Sequence, residues 1–275
     1  MNKRVWLLLL ICFLLAGCAS NPSWEEEQLE ETSNRLLDGD VEAFWTVNLD
    51  SPSGPSDEDA TIRLDLKKTD GSPLQEFDIH HEKMLHLMVI SDDLSYFNHI
   101  HPLNKGNGRF EIENRFPAGG KYRLIADFKP TGGDSMTKME WVTLAGAPTP
   151  AEPIIPDKSL TKEADGVAVD LKIANLASDA STTLTFTLTD RSTGQSVVDL
   201  QPYLGAIGHV VVLSENGEQY VHVHANGEQG SGPEAVFETT FPGTGIYKIW
   251  AQFQRLNRVF TVSYVVDVPL EASGE

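Results

Sequence analysis

The chain has 275 residues, with 21 Lys and Arg against 40 Asp and Glu, a formal charge of −19. So acidic a chain offers no basic face to neutralise a phosphate backbone, which argues against nucleic-acid binding. Its length suits two domains, each able to bury its own core. Both cysteines, Cys12 and Cys18, fall in the first twenty residues, so the remainder has no disulfide or thiolate chemistry.

Lys3 and Arg4 precede an apolar run, Val5 to Ala16, that is too short to span a bilayer but suits a signal peptide. The run leads into Leu15-Ala16-Gly17-Cys18, which resembles the lipobox of bacterial lipoproteins. That resemblance implies removal of residues 1–17 and a lipidated N-terminal Cys18. Cleavage would take two of the 21 basic residues and none of the 40 acidic ones, moving the charge from −19 to −21. Anionic headgroups repel such a body, so the expected membrane partner is reached through acyl chains on the extracytoplasmic side of the cell membrane. Residues 18–40, with Glu25, Glu26 and Glu27 in succession, read as an acidic tether.

From Val41 onward the pattern is strand-like. Thr61 to Lys67 and Thr182 to Thr189 alternate apolar and polar residues, and turn signals such as Asp70-Gly71, Asn107-Gly108 and Asn216-Gly217 recur about every ten residues. The expectation is an all-β chain of two tandem immunoglobulin-like β-sandwiches, over 41–146 and 165–270. Residues 147–164 join them, and four prolines between Ala147 and Asp157 make that linker stiff.

The two halves are copies. His86 to His101 aligns without gaps on His209 to His224 at an offset of 123, and the Phe116-Pro117, Gly120, Tyr122, Ala126, Phe128 block recurs at an offset of 125. Tandem duplication of one domain explains both. Each copy keeps a histidine in an apolar run, twelve residues, then His-x-His, which reads as a β-hairpin. His99 and His101 then share a face, as do His222 and His224. A register that sets His86 against them brings three imidazoles together, and a second triad is expected at His209, His222 and His224; a slip of one residue undoes either site.

Three neutral imidazoles suit copper or zinc with a coordination position left open. Met84 and Met88 alternate with His86, and thioethers beside imidazole favour copper, so the first domain is the better candidate. The competing reading makes the histidines structural, the methionines core filler, the protein an envelope scaffold or interaction module with a protein partner, and the cofactor none. His80 and His81 are expected to be exposed strand-end residues. The histidine face, lying opposite Leu85, Leu87 and Val89, is a candidate to be covered by the other domain at a pseudo-twofold interface.

The paired hairpin motifs, with Ser91-Asp92-Asp93-Leu94 and His99-x-His101-Pro102 in the first copy and residues 203–214 in the second, resemble bacterial secreted proteins with YtkA-like, immunoglobulin-like domains. That resemblance implies an envelope location and, for some members, copper or heavy-metal handling. The second copy departs from it, with Ala225 where the first has Pro102. No Gly-x-Ser-x-Gly elbow, phosphate loop or His-Glu-x-x-His motif occurs, so the expectation is a binding protein and not an enzyme.

Overall fold

The computed structural model describes residues 35–49 and 58–271; Cys18 and most of the tether lie outside them. Among the described residues there are eighteen strands and one 3-10 turn, Asp38–Asp40, and no helix is long and apolar enough to cross a membrane. From Leu36 onward the chain packs as one unit.

In the first sandwich, one sheet has the order β1 (Val41–Leu49), β2 (Glu58–Lys68), β7 (Arg109–Phe116), β6 (Leu103–Gly106). The facing sheet is β5 (Phe97–Ile100), β4 (Leu85–Ser91), β8 (Gly120–Pro130), with β3 (Phe77–Asp78) and β9 (Met136–Leu144) also paired to β8. The second sandwich repeats the plan. One sheet is β10 (Thr161–Ala164), β11 (Val167–Ala174), β12 (Ser181–Asp190), β16 (Glu234–Thr240), β15 (Val223–Ala225). The other is β14 (Tyr220–Val221), β13 (His209–Ser214), β17 (Gly245–Arg255), β18 (Arg258–Val268). All pairings within these sheets are antiparallel, and the fold is the expected pair of immunoglobulin-like sandwiches.

The duplicated Phe-Pro-x-x-Gly-x-Tyr block builds the same corner twice. Tyr122 donates its hydroxyl hydrogen to the Ala118 carbonyl at 2.9 Å, and the Tyr247 hydroxyl lies 3.1 Å from the Gly243 carbonyl, sharing its hydrogen with Gln219 Oε1. Such a back-bonded tyrosine is a hallmark of this architecture. Gly120 and Gly245 enter the following strands at φ of 115° and 120°, a conformation that any side chain would strain.

Surface strands such as β12 alternate in burial, whereas all seven residues of β4 are buried and β13 is nearly so. Leu85, Leu87 and Val89 fill the first sandwich's own core; Val210 and Val212 fill the second's. The opposite faces of these strands meet each other, as Met88, Ile90, Leu94 and Ile125 pack on Val211, Leu213 and Trp250. Phe97 stacks on Trp250 at 4.8 Å and 12°. Burying one such side chain contributes about 1.5–3 kcal/mol, so seven of them make a fixed interface rather than a loose contact. At its rim Lys248 donates to the Leu94 carbonyl at 2.8 Å, and Glu218 accepts from both Arg123 and Trp141. The proline-rich linker is tied down at Glu152, whose N donates to Asp93, and at Asp157, whose N donates to the Val265 carbonyl; it is shorter than the expected 147–164, because Thr161–Ala164 pair with β11 as β10.

Candidate functional site

Beside the apolar half of the seam lies a polar half. The β4–β5 hairpin pairs Leu87 with Ile100 and Met88 with His99, a register that sets His86 against His101. His86, on the same strand face as Met88, therefore points at the second sandwich. On β8 its cross-strand neighbour is Asp127, followed on β9 by Thr137. The second sandwich answers with His209, Gln252 and Thr261 in the same order on β13, β17 and β18. The two rows face each other, and the His86 and His209 rings stack at 5.7 Å and 10°.

His86, His99 and His101 each offer a nitrogen within 4.8 Å of the others. His209, contributed by the other sandwich, has its ring 4.8 Å from His99. His86 is 2% exposed and His99 8%, while a cleft of about 460 Å³ lined by His101, Lys83 and Tyr203 reaches His99 from solvent.

Hydrogen bonds fix the orientation of the rings. His86 Nε2 lies 3.0 Å from the His80 carbonyl, which can only accept, so Nε2 carries the proton and Nδ1 is a bare lone pair. Gln252 donates its amide to Thr261 Oγ1 at 3.2 Å and presents Oε1 to His99 Nδ1 at 2.7 Å. His99 then also donates from Nδ1, which leaves Nε2 bare. His86 Nδ1 and His99 Nε2 face each other at 3.1 Å, two lone pairs with the Gln252 amide turned this way and an N–H···N hydrogen bond with it turned over. His101 Nε2 is buried with no partner. Two lone pairs in contact repel unless a cation lies between them. Nitrogens bound about 2.0–2.1 Å from one tetrahedral ion lie about 3.3 Å apart, close to the distance seen. A ligating imidazole whose other nitrogen donates to a carbonyl is the usual way such ligands are oriented.

Burial, more than any other cause, lowers the histidine pKa values, to about 3 for His86 and His99 and about 4 for His101 and His80. Burial and the neighbouring imidazoles push His209 well below its ordinary value. The rings are thus neutral at physiological pH, the state in which they can ligate.

The expected second triad does not form. His209 joins the first cluster, whereas His222 and His224 leave its sheet. In the first copy pairing with β7 begins only at Leu103, whereas in the second copy pairing with β16 extends back to Val223. Thr239 Oγ1 also donates to the His222 carbonyl at 2.7 Å, so the strand changes sheets earlier. His222 and His224 are exposed, their rings parallel at 6.4 Å.

The methionines lie outside the group. Met84 is 39% exposed with its sulfur accepting from Asn104, and Met88 is buried in the apolar seam. His80 and His81, expected to be exposed, are partly buried, their rings 4.0 Å apart, with His81 5.6 Å from His209. Sequence reasoning missed the His80 carbonyl, Gln252 and Asp127. The last two align with each other at the offset of 125, a signal that was available.

A family model described as a domain of unknown function, DUF8832, matches residues 40–146 and again 162–269, and the chain belongs to that family. No curated protein matches it significantly. Among solved structures, the Escherichia coli adhesin FdeC is similar at 13% identity and a TM-score of 0.27, over 87% of this chain and 66% of that one. Two fibronectin type III domains of chicken tenascin are similar at 14% and 0.25, over 82% and 100%. The S-layer protein SbsC is similar at 14% and 0.26, over 84% and 28%. The chain thus spans slightly less than two thirds of the adhesin and under a third of the S-layer protein, and at these scores the likeness carries no functional weight.

Proposed function

We propose that this member of the DUF8832 family is a lipid-anchored, extracytoplasmic binding protein that holds a copper or zinc ion at the seam between its sandwiches. His86, His99 and His101 supply the ligands, with His209 beside them. One observation carries the reading: His86 Nδ1 and His99 Nε2 face each other at 3.1 Å, and His101 offers a nitrogen within 4.8 Å of both. An all-imidazole set suits Cu(II) or Zn(II), and it leaves Met84 and Met88 out of the ligand shell. Support for the location comes from Leu15-Ala16-Gly17-Cys18 and from the likeness of the hairpin motifs to YtkA-like secreted domains.

Titrating the chelator-stripped protein with Cu(I), Cu(II) and Zn(II) by calorimetry tests the proposal. A bound ion lost in the H86A/H99A/H101A triple variant is expected; equal binding by that variant would overturn it. The competing reading, a scaffold or interaction module with structural histidines, draws on the His99–Gln252 hydrogen bond, which ties the sandwiches together without any ion. That reading requires no bound metal in the same titration.

A further inference from the structure

The seam has two ends related by its pseudo-twofold symmetry, and only one is occupied by the buried cluster. His222 is the counterpart of His99, and Asp127 is the counterpart of Gln252. Across the seam His222 Nδ1 approaches Asp127 Oδ2, as His99 Nδ1 approaches Gln252 Oε1. The two contacts differ in length and charge. The second is a hydrogen bond of 2.7 Å to a neutral amide; the first is 3.8 Å, too long for a hydrogen bond, and ends on a carboxylate.

That carboxylate is poorly served by the protein. Asp127 is 6% exposed, its Oδ1 is buried with no partner, and Oδ2 has only the Tyr220 hydroxyl, at 3.4 Å, within hydrogen-bond range. Leaving a buried oxygen unpaired destabilises the fold, the more so when it is charged. His222 Nε2 lies 3.3 Å from Thr137 Oγ1, so a proton held there turns the Nδ1 lone pair toward Asp127. His224 is two residues further on, beside His222, and both line an open cleft of about 410 Å³ with Tyr220 and Glu238. His80 Nδ1 is another buried nitrogen without a partner, within electrostatic reach of His222 and His224.

We propose a second cation site at this end of the seam, separate from the buried imidazole group, formed by the Asp127 carboxylate with His222 and closed by the exposed His224, whose ring lies parallel to that of His222 at 6.4 Å and turns in on binding. A nitrogen and an oxygen each about 2.0–2.2 Å from one ion can lie up to about 4 Å apart, which accommodates the 3.8 Å contact. Two imidazoles with a hard carboxylate oxygen and no soft ligand fit Zn(II) and disfavour Cu(I). Replacement of Gln252 by its counterpart Asp127 thus gives the two ends different donor sets.

The test is the Zn(II) stoichiometry of the chelator-stripped protein at pH 7.5, measured against a chromophoric competitor. Two ions are expected in the unaltered protein. H222A/H224A, altered only at exposed positions, should lose one of them. D127N should weaken that same ion by at least tenfold, and H86A/H99A/H101A should keep it. A single ion in the unaltered protein, or two retained by H222A/H224A, would overturn the second site. Because each variant set removes its own ion, failure here is distinguishable from failure of the buried site.

Discussion

Replacing Asp127 by asparagine in the metal-free protein should change how stability depends on pH, by an amount fixed by that residue's surroundings. Burial is the main cause that raises its pKa from 3.8 to about 7, against the smaller opposite pull of the Tyr220 hydroxyl and of His224. The sign follows from linkage. Because the folded value lies above the unfolded one, the folded state resists ionisation, and stability is lost as pH rises from 3.8 through 7. At about 1.36 kcal/mol per pKa unit, that loss reaches about 4 kcal/mol at pH 8 and vanishes below pH 3.8. Asparagine cannot ionise, so D127N should gain about 3–4 kcal/mol relative to the unaltered protein between pH 4 and pH 8. An unpaired Nδ2 at the former Oδ1 position would cost about 1–3 kcal/mol, but equally at both pH values. Urea unfolding in the presence of chelator, at half-unit steps of pH, measures the difference, and all other titrating groups cancel between the two proteins. Parallel curves for the two proteins from pH 4 to 8 would refute the reasoning, since Asp127 would then ionise as readily folded as unfolded.

Other consequences follow from the seam and the anchor. W250A removes a side chain that is 3% exposed and stacked on Phe97, and should cost about 3–5 kcal/mol in urea unfolding; a loss under about 1 kcal/mol would mean that the sandwiches do not pack as described. Q252A leaves the three ligands of the buried site in place but frees the His99 ring, so metal affinity measured by competition should fall about 10- to 100-fold, with stoichiometry unchanged. C18A should abolish incorporation of labelled fatty acid into the protein in growing cells; equal labelling of the two proteins would contradict lipidation at Cys18.

Much of this arrangement was legible in the sequence. Alternation gave the surface strands, and the gapless offset of 123 gave two copies of one hairpin. The apolar run Met84 to Ile90, with His86 inside it, made the histidine face a candidate for cover by the other domain. The site was only half legible, because its ligands come from strands whose register the duplication does not fix. Identical spacing suggested identical triads, yet the second copy crosses between sheets earlier than the first, which takes His222 and His224 away from His209. His80 and His81 carried no periodic signal; their burial follows from the second sandwich closing over the loop before β4. Met84 and Met88 were plausible ligands by strand parity. Parity does not say that the seam's apolar half begins at Met88, one strand step beyond His86.

The central claim is a metal ion held by imidazoles at the seam. X-ray absorption of the H222A/H224A protein loaded with one equivalent of Cu(II) or Zn(II) tests it most directly. The account predicts three or four nitrogen neighbours at about 2.0 Å with the multiple-scattering signature of imidazole, and no sulfur shell. A shell of oxygen alone, a sulfur neighbour, or the same spectrum after His86, His99 and His101 are replaced by alanine would contradict it.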